Sequence, residues 1–140
     1  MSWRFSVAWA DSGLLLEIEA VMSAEDLLRL RQTADEIYLD EKIERYIVSL
    51  VDATRNPARY GLKIGNLIRY GASPRGTIAL ARAGKAEALL KGRPYVSPQD
   101  VKSIALDVLR HRLAVSYEAE AQGQTSDDLL SQILNTIPAP

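Results

Sequence analysis

The chain has 140 residues, of which 47% are hydrophobic and 25% charged, enough for one domain with its own apolar core. It contains no cysteine and a single histidine, His111, which excludes disulfides and metal sites built from cysteine or histidine clusters. No apolar run approaches the roughly 20 residues that span a bilayer. The first 20 residues lack the pattern of a signal peptide, so we expect a cytoplasmic protein.

The net charge of −1 conceals a segregation of charge along the chain. Residues 1–40 carry three basic and eight acidic residues, residues 41–93 carry eleven and four, and residues 94–140 carry three and six. Two explanations of the basic middle segment stay open at this point. It is either a solvated surface on two helices, or the surroundings of a bound anionic ligand.

The first predicted helix covers residues 24–36. The Ser23 hydroxyl can cap its free amides, and Asp26 suits the positive end of the helix dipole. Apolar residues then recur at helical spacing: Leu27, Leu30, Ala34 and Ile37.

The second predicted helix, over residues 41–55, has the clearest amphipathic pattern. It begins after Asp40 and ends before Pro57, because proline disfavours helical geometry in the residue that precedes it. Its apolar positions are Ile43, Tyr46, Ile47, Leu50 and Val51. We also expect Tyr38, Tyr46 and Tyr60 to be partly buried packing residues.

Two further helices begin at Ser-Pro pairs. After a glycine-containing loop with one short helical turn, Ser73 is expected to cap a helix over residues 74–91, with Pro74 at its first position. Ser97 and Asp100 predict a similar start for a helix over residues 98–110.

Short segments near Tyr95 and Val115 have strand character and could pair as a ribbon. A last helix is predicted over residues 126–137, before Pro138. The fold class is therefore predicted to be all-α, a small bundle of about five helices with at most one very short two-stranded ribbon.

No complete catalytic motif occurs in the chain. It has no phosphate-binding GxxxxGK[ST] loop, no HExxH and no GxSxG. We therefore expect neither an autonomous enzyme nor a metal site.

Arg75 is the residue that stands out. A helix that begins at Pro74 leaves several amides unpaired and turns the positive end of its dipole toward them. A cation in that first turn is favourable if an anion is bound there, and arginine suits bidentate contact with phosphate. The alternative is that Arg75 points into water or meets an acid on a neighbouring helix, and the residues alone favour neither.

An ordered series of short motifs runs through the second half of the chain: GASPR, ALARAGKAEALLKGR, YVSPQDV, VLRHRL, SYEAEAQG and a helix that ends in IP. The series resembles the C-terminal lid of MoxR-type AAA+ ATPases, and the stretch from SAEDLL to ARYGL is similar as well. Residues 21–140 are therefore assigned to a helical lid domain. Residues 1–20 do not match and stay unassigned, as a linker or added sequence, the tail of a core domain, or a segment that covers surface left bare by the missing core.

The resemblance implies a function for the segment around Arg75. In that family the lid closes over a nucleotide bound by a core domain, and the arginine of GASPR is the sensor-2 residue that contacts the terminal phosphates. Here that residue is Arg75, supported by the loop and helix start at Gly71, Ala72, Ser73 and Pro74.

The resemblance also implies what the chain does not do alone. The family's Walker A, Walker B and arginine-finger residues have no counterpart in these 140 residues, so the parent protein, not this chain alone, is expected to be the ATPase. ATP and Mg²⁺ would be held by the core domain, and none tightly by this chain. Expected partners are that core, neighbouring subunits of a ring and protein substrates of a chaperone-like remodeller, with no nucleic acid and no membrane.

The sequence leaves two alternatives to the lid function open. A nucleic-acid-binding helical module would need basic residues on one exposed helix face, for which Arg82, Lys85 and Lys91 are the candidates. A protein-interaction bundle would need no ligand.

Arg110 and Arg112 are secondary site candidates. Cations at the end of a helix complement its negative pole, so a structural role is expected first and contact with a nucleotide or neighbouring subunit second.

Overall fold

The computed structural model describes residues 19–140, and the predictions made for residues 1–18 lie outside that part. The described residues form six α-helices and one two-stranded antiparallel ribbon, which confirms the predicted small helical bundle. The helices are α1 (Ala24–Asp35), α2 (Glu41–Arg55), α3 (Arg75–Leu90), α4 (Pro98–Leu109), α5 (Tyr117–Ala121) and α6 (Ser126–Thr136). The strands are β1 (Ile68–Tyr70) and β2 (Ala114–Val115), and 3-10 turns occupy Pro57–Tyr60, Gly65–Leu67 and Arg110–Arg112. None of the helices in residues 19–140 is long and apolar enough to cross a membrane.

Helix α2 lies at the centre of the core. Its predicted apolar stripe is buried, and α6 packs against it and against α4. Burial of these apolar side chains is the main favourable contribution to folding, about 25 cal/mol for each square ångström removed from water. The largest fully buried apolar side chains are Ile47, Leu50, Leu80, Val101, Leu109, Leu129, Leu130 and Ile133.

Helices α3 and α4 pack closely because three of the four buried residues of α3 are small. The buried face carries Gly76, Leu80, Gly84 and Ala88, four residues apart. A Cβ on Gly84 would lie 3.3 Å from the Val96 side chain, and one on Gly76 would lie 3.3 Å from that of Leu109. The second of these contacts sets the start of α3 beside the end of α4.

The ribbon forms, but its pairing differs from the prediction. Strand β2 pairs with β1, in the register Ile68 with Val115 and Tyr70 with Ala114. Tyr95 instead makes an isolated parallel bridge with Tyr38. Tyr95 and Val115 flank opposite ends of α4, which at about 1.5 Å per residue is too long for them to meet.

Helix α1 is the exception to the burial pattern. It begins with the predicted capping box of Ser23 and Asp26, yet none of its residues is buried. Leu27 and Leu28 are 52% and 56% exposed, so the described residues leave its apolar positions uncovered. Tyr38, just beyond α1, is 62% exposed, so the prediction of partial burial was wrong for this tyrosine.

Asp100 is a fully buried charge that holds the turn between α3 and α4. Its carboxylate accepts two hydrogen bonds from the Arg93 guanidinium, at 2.8 and 2.5 Å, and one from Lys91 at 3.2 Å. The backbone amide and hydroxyl of Ser97 complete the set at 2.8 and 2.7 Å. The hydrogen bonds from Arg93 hold the pKa of Asp100 far below its usual range, against the opposing effect of burial.

Replacing Asp100 with asparagine should lower the free energy of unfolding by about 2 kcal/mol at pH 7, because charge-assisted hydrogen bonds are lost. The folded-state pKa is depressed, so this contribution is complete above the unfolded pKa of about 3.9 and fades as the pH falls below it. Urea unfolding at pH 7 and pH 3 measures the difference between the two proteins. The matched control is Asp107→Asn, whose exposed ion pair with Arg110 should matter little. A difference for Asp100→Asn that does not shrink at pH 3 would contradict this account.

Candidate functional site

The loop that leads from β1 into α3 is tied to the end of α2 by one buried hydroxyl. The Ala72 amide donates to Thr54 Oγ1 at 2.8 Å, and that hydroxyl donates to the Val51 carbonyl at 2.7 Å. Ala72 and Thr54 are both fully buried. Thr54 could not be predicted from the sequence, because its partner lies 18 residues further along the chain and no local pattern marks the pair.

Gly71 allows this close approach. A Cβ at Gly71 would lie 2.3 Å from the Thr54 carbonyl oxygen and 2.8 Å from Arg55 Cγ. Since the first of these contacts is to backbone, a side chain cannot be accommodated by a small rotation. The glycine of the GASPR segment is therefore required by packing, whatever the segment binds.

The start of α3 differs from the predicted cap. The helix begins at Arg75 after Pro74, which already has helical backbone angles, and the Ser73 hydroxyl does not cap it. The Ser73 carbonyl accepts from the Gly76 amide at 2.8 Å instead. At the other Ser-Pro start, Ser97 forms a capping box with Asp100, whereas the residue three after Ser73 is Gly76, which has no carboxylate.

Arg75 lies exposed in the first turn of α3. Among residues 19–140 no carboxylate lies within ion-pair distance of its guanidinium. The first amides of a helix have no partner inside the helix, and the positive end of the dipole lies there. This helix start therefore combines an unpaired cation with the positive end of the dipole, an arrangement that suits an anion such as phosphate.

A groove of about 670 Å³ begins at Thr77, two residues beyond Arg75. It lies between α2, α3 and the segment that follows α1, and it mixes apolar side chains with charged ones. The Lys85 ammonium at its edge donates to the Asp35 carbonyl at 2.7 Å. Its lining includes Ile37, Tyr38, Val48, Thr77, Ile78 and Arg82.

The secondary candidates at the end of α4 have partners within the domain. Arg110 forms ion pairs with Asp107 and with Asp127 of α6, both at 3.2 Å. Arg112 Nε donates to the Val108 carbonyl at 3.1 Å, as a helix-ending cation does. The contact of Leu109 with Gly76 places this end of α4 beside the start of α3, but both arginines are already engaged.

Comparison with known proteins gives the family. Residues 64–133 match the model of the AAA lid domain. The chain belongs to this family. Within it the lid is of the MoxR type, since it is similar to chaperone MoxR1 of Mycobacterium tuberculosis, 35% identical over 125 residues. It is also similar to the MoxR protein of Paracoccus denitrificans, 40% identical over 105 residues.

These relatives are longer than the chain. The match to MoxR1 covers 89% of the lid chain and 33% of MoxR1, and the match to the Paracoccus protein covers 70% and 31%. A crystal structure of a protein provisionally assigned as an ATPase, from Cytophaga hutchinsonii, superposes with a TM-score of 0.80 at 41% identity. That superposition covers 83% of the lid chain and 36% of the crystallised protein. The lid chain thus spans about a third of the length of the proteins it matches.

Replacing Gly71 with alanine should lower the free energy of unfolding of the lid by about 1–3 kcal/mol, because the new Cβ collides with the backbone of Thr54. The matched control is Gly65→Ala, where the added Cβ would make an ordinary 3.7 Å contact with Pro57. Urea unfolding of both variants measures the difference. If the two variants were equally stable, the close approach of the loop to the end of α2 would not contribute to the stability of the lid.

Proposed function

We propose that the chain is the nucleotide-sensing lid of an AAA+ ATPase, in which Arg75 contacts the terminal phosphates of ATP bound to a core domain. The observation that carries the proposal is the exposed position of Arg75 at the start of α3, without an acidic partner among the described residues. The positive end of a helix disfavours a cation by about 0.3–1 kcal/mol unless an anion is present. A phosphate would remove that cost and accept bidentate hydrogen bonds from the guanidinium.

The support of Arg75 also suits a sensor. A residue that reports on a phosphate has to move together with the whole lid. Its backbone must therefore be fixed to the bundle and must not lie on a loop that moves by itself. The bond between Ala72 and Thr54 and the tight contact at Gly71 fix the start of α3 to the end of α2. Movement of the bundle would therefore be transmitted to Arg75, and contact at Arg75 to the bundle.

The groove beside Arg75 supports nucleotide binding on this side of the lid. Its volume of about 670 Å³ falls within the range of about 300–1,000 Å³ that ligand pockets occupy. Thr77 and Ile78, in the turn that follows Arg75, form part of its lining. The groove would therefore be within reach of a nucleotide whose phosphates contact Arg75.

The exposed apolar residues of α1 support contact with the core domain. Leu27, Leu28 and Leu30 are all exposed, as are Val21 and Met22 just before the helix. Several exposed apolar side chains on one short segment commonly mark a protein interface. We assign it to the core domain of the same protein, which would also hold ATP and Mg²⁺.

The parent protein would then be a cytoplasmic, ring-forming ATPase that remodels protein complexes. The relative MoxR1 of Mycobacterium tuberculosis is named a chaperone, which supports the remodelling part of this proposal. A nucleic-acid-binding module is less well supported. Arg59, Lys91 and Arg93 of the basic middle segment have acidic partners, so the segment does not present one continuous cationic face.

The purified 140-residue chain should not hydrolyse ATP above background. It has no Walker residues to hold Mg²⁺ together with the β- and γ-phosphates. Phosphate release measured with and without Mg²⁺ checks this, with the intact ATPase as the positive control. Mg²⁺-dependent hydrolysis that stays with the chain through further purification would reveal a site we have not recognised.

In the intact ATPase, replacing Arg75 with alanine should reduce turnover, or its coupling to conformational change, at least tenfold. The lost charge-assisted contact with phosphate corresponds to about 1.5–3 kcal/mol. Turnover and melting temperature should be measured together, with Lys63→Ala as a control for loss of an exposed cation elsewhere in the basic segment. Unchanged turnover, or a lid that unfolds without Arg75, would end the sensor assignment.

A further inference from the structure

A second cleft, of about 470 Å³, lies between α2, the 3-10 turn Pro57–Tyr60 and the last residues of the chain. It is distinct from the groove beside Arg75, and none of its lining residues belongs to α3. One face of α2 forms a wall with side chains at positions i, i+3, i+4 and i+7. The lining residues are Lys42, Arg45, Tyr46, Ser49, Tyr60, Ile137, Pro138, Ala139 and Pro140.

The Tyr46 hydroxyl in this wall lacks a partner. Tyr46 is only 4% exposed, and in residues 19–140 its hydroxyl is the one buried side-chain polar atom without a hydrogen bond. The neighbouring hydroxyls are satisfied, since Tyr60 donates to Asp52 at 2.9 Å and Ser49 to the Arg45 carbonyl at 2.9 Å. Native structures leave few buried polar groups unpaired, and burial raises the pKa of Tyr46, so this phenol is a neutral donor that needs an acceptor.

Two cations lie on the same face of α2. Among the described residues no carboxylate lies within ion-pair distance of Lys42. Arg45 pairs with Glu41 at 2.5 Å, but the two side chains are 77% and 73% exposed. Exposed pairs of this kind contribute little, and Arg45 has further donors, so both cations can bind an added anion.

The chain tail covers the cleft loosely. Ile137 is buried, and its amide donates to the Ile133 carbonyl at 2.9 Å. The three residues after it are exposed, and within the described part of the chain none of them makes a backbone hydrogen bond. Displacing Pro138–Pro140 would therefore widen the cleft beside the wall that carries Tyr46 without breaking a backbone hydrogen bond of the bundle.

We propose that this cleft docks an extended acidic segment of a partner protein. An Asp or Glu carboxylate of that segment accepts a hydrogen bond from Tyr46 and pairs with Lys42 and Arg45, while a neighbouring apolar residue packs against Ile137. The charge of the occupant follows from the two cations and the unpaired donor. Its extended form follows from the lining, which runs along one face of α2 from Lys42 to Ser49, so that a peptide gains contacts along its length.

The test begins with selection of random ten-residue peptides on the 140-residue chain, followed by fluorescence anisotropy with the selected sequences. We expect selected peptides to carry Asp or Glu beside an apolar residue, and replacement of that acid with its amide to weaken binding at least tenfold. Tyr46→Phe should weaken binding at least tenfold while the melting temperature stays the same or rises, because the variant removes an unpaired buried hydroxyl. Tyr60→Phe is the matched control, since its hydroxyl is already bonded to Asp52, and it should bind as the parent chain does.

The double variant Lys42→Ala, Arg45→Ala changes only exposed side chains, so it keeps the fold and should lose binding. Failure to select acidic peptides would overturn the proposal. So would peptides that bind Tyr46→Phe and the double variant as tightly as the unchanged chain. Equal competition by a ten-nucleotide single-stranded thymidine oligomer would show that the cleft selects phosphate rather than an acidic peptide, and would overturn it as well.

Discussion

The Thr54 hydroxyl connects two parts of the chain that a helical bundle would otherwise leave independent. It donates to the Val51 carbonyl and accepts from the Ala72 amide, so its polar atoms are satisfied although the residue is fully buried. Loss of either partner would leave a polar group buried and unpaired, at a cost of about 1–3 kcal/mol. The connection fixes the loop onto the last turn of α2, and the direction of α3 follows from it.

The other contacts around this hydroxyl also help to fix the position of α3. Gly71 lets the loop backbone approach Thr54, and Gly76 lets α3 approach both Leu109 and Val51. The start of α3 is thus enclosed by α2 on one side and α4 on the other. Only its solvent side, which carries Arg75, is left for a ligand. Rigidity of the support and exposure of the cation arise from the same few residues.

Interactions between residues that are close in sequence could be predicted, whereas those between residues far apart in the chain could not. The starts of α1, α4 and α6 were predictable, because each capping box joins two residues three positions apart. The pairing of β1 with β2 and the bond between Thr54 and Ala72 join residues far apart in the chain, and no periodicity encodes such a choice. Arg75 could be singled out from its place after Ser73-Pro74, but its support by Thr54 could not. The charge pattern left two explanations of the basic middle segment open, and part of that segment pairs with acids such as Asp52 and Asp100.

The exposure of helix α1 affects the free energy with which the domain binds a partner at this helix. It has twelve residues and buries none of them, and isolated helices of about that length are marginal in water. Its amides should therefore open and exchange with solvent independently of the core, as a separate cooperative unit. Binding across its apolar residues would then include the free energy of ordering the helix, so affinity and helix content become linked quantities. Evolution could tune that affinity through solvent-facing residues of α1 that never touch the partner, simply by altering helix propensity.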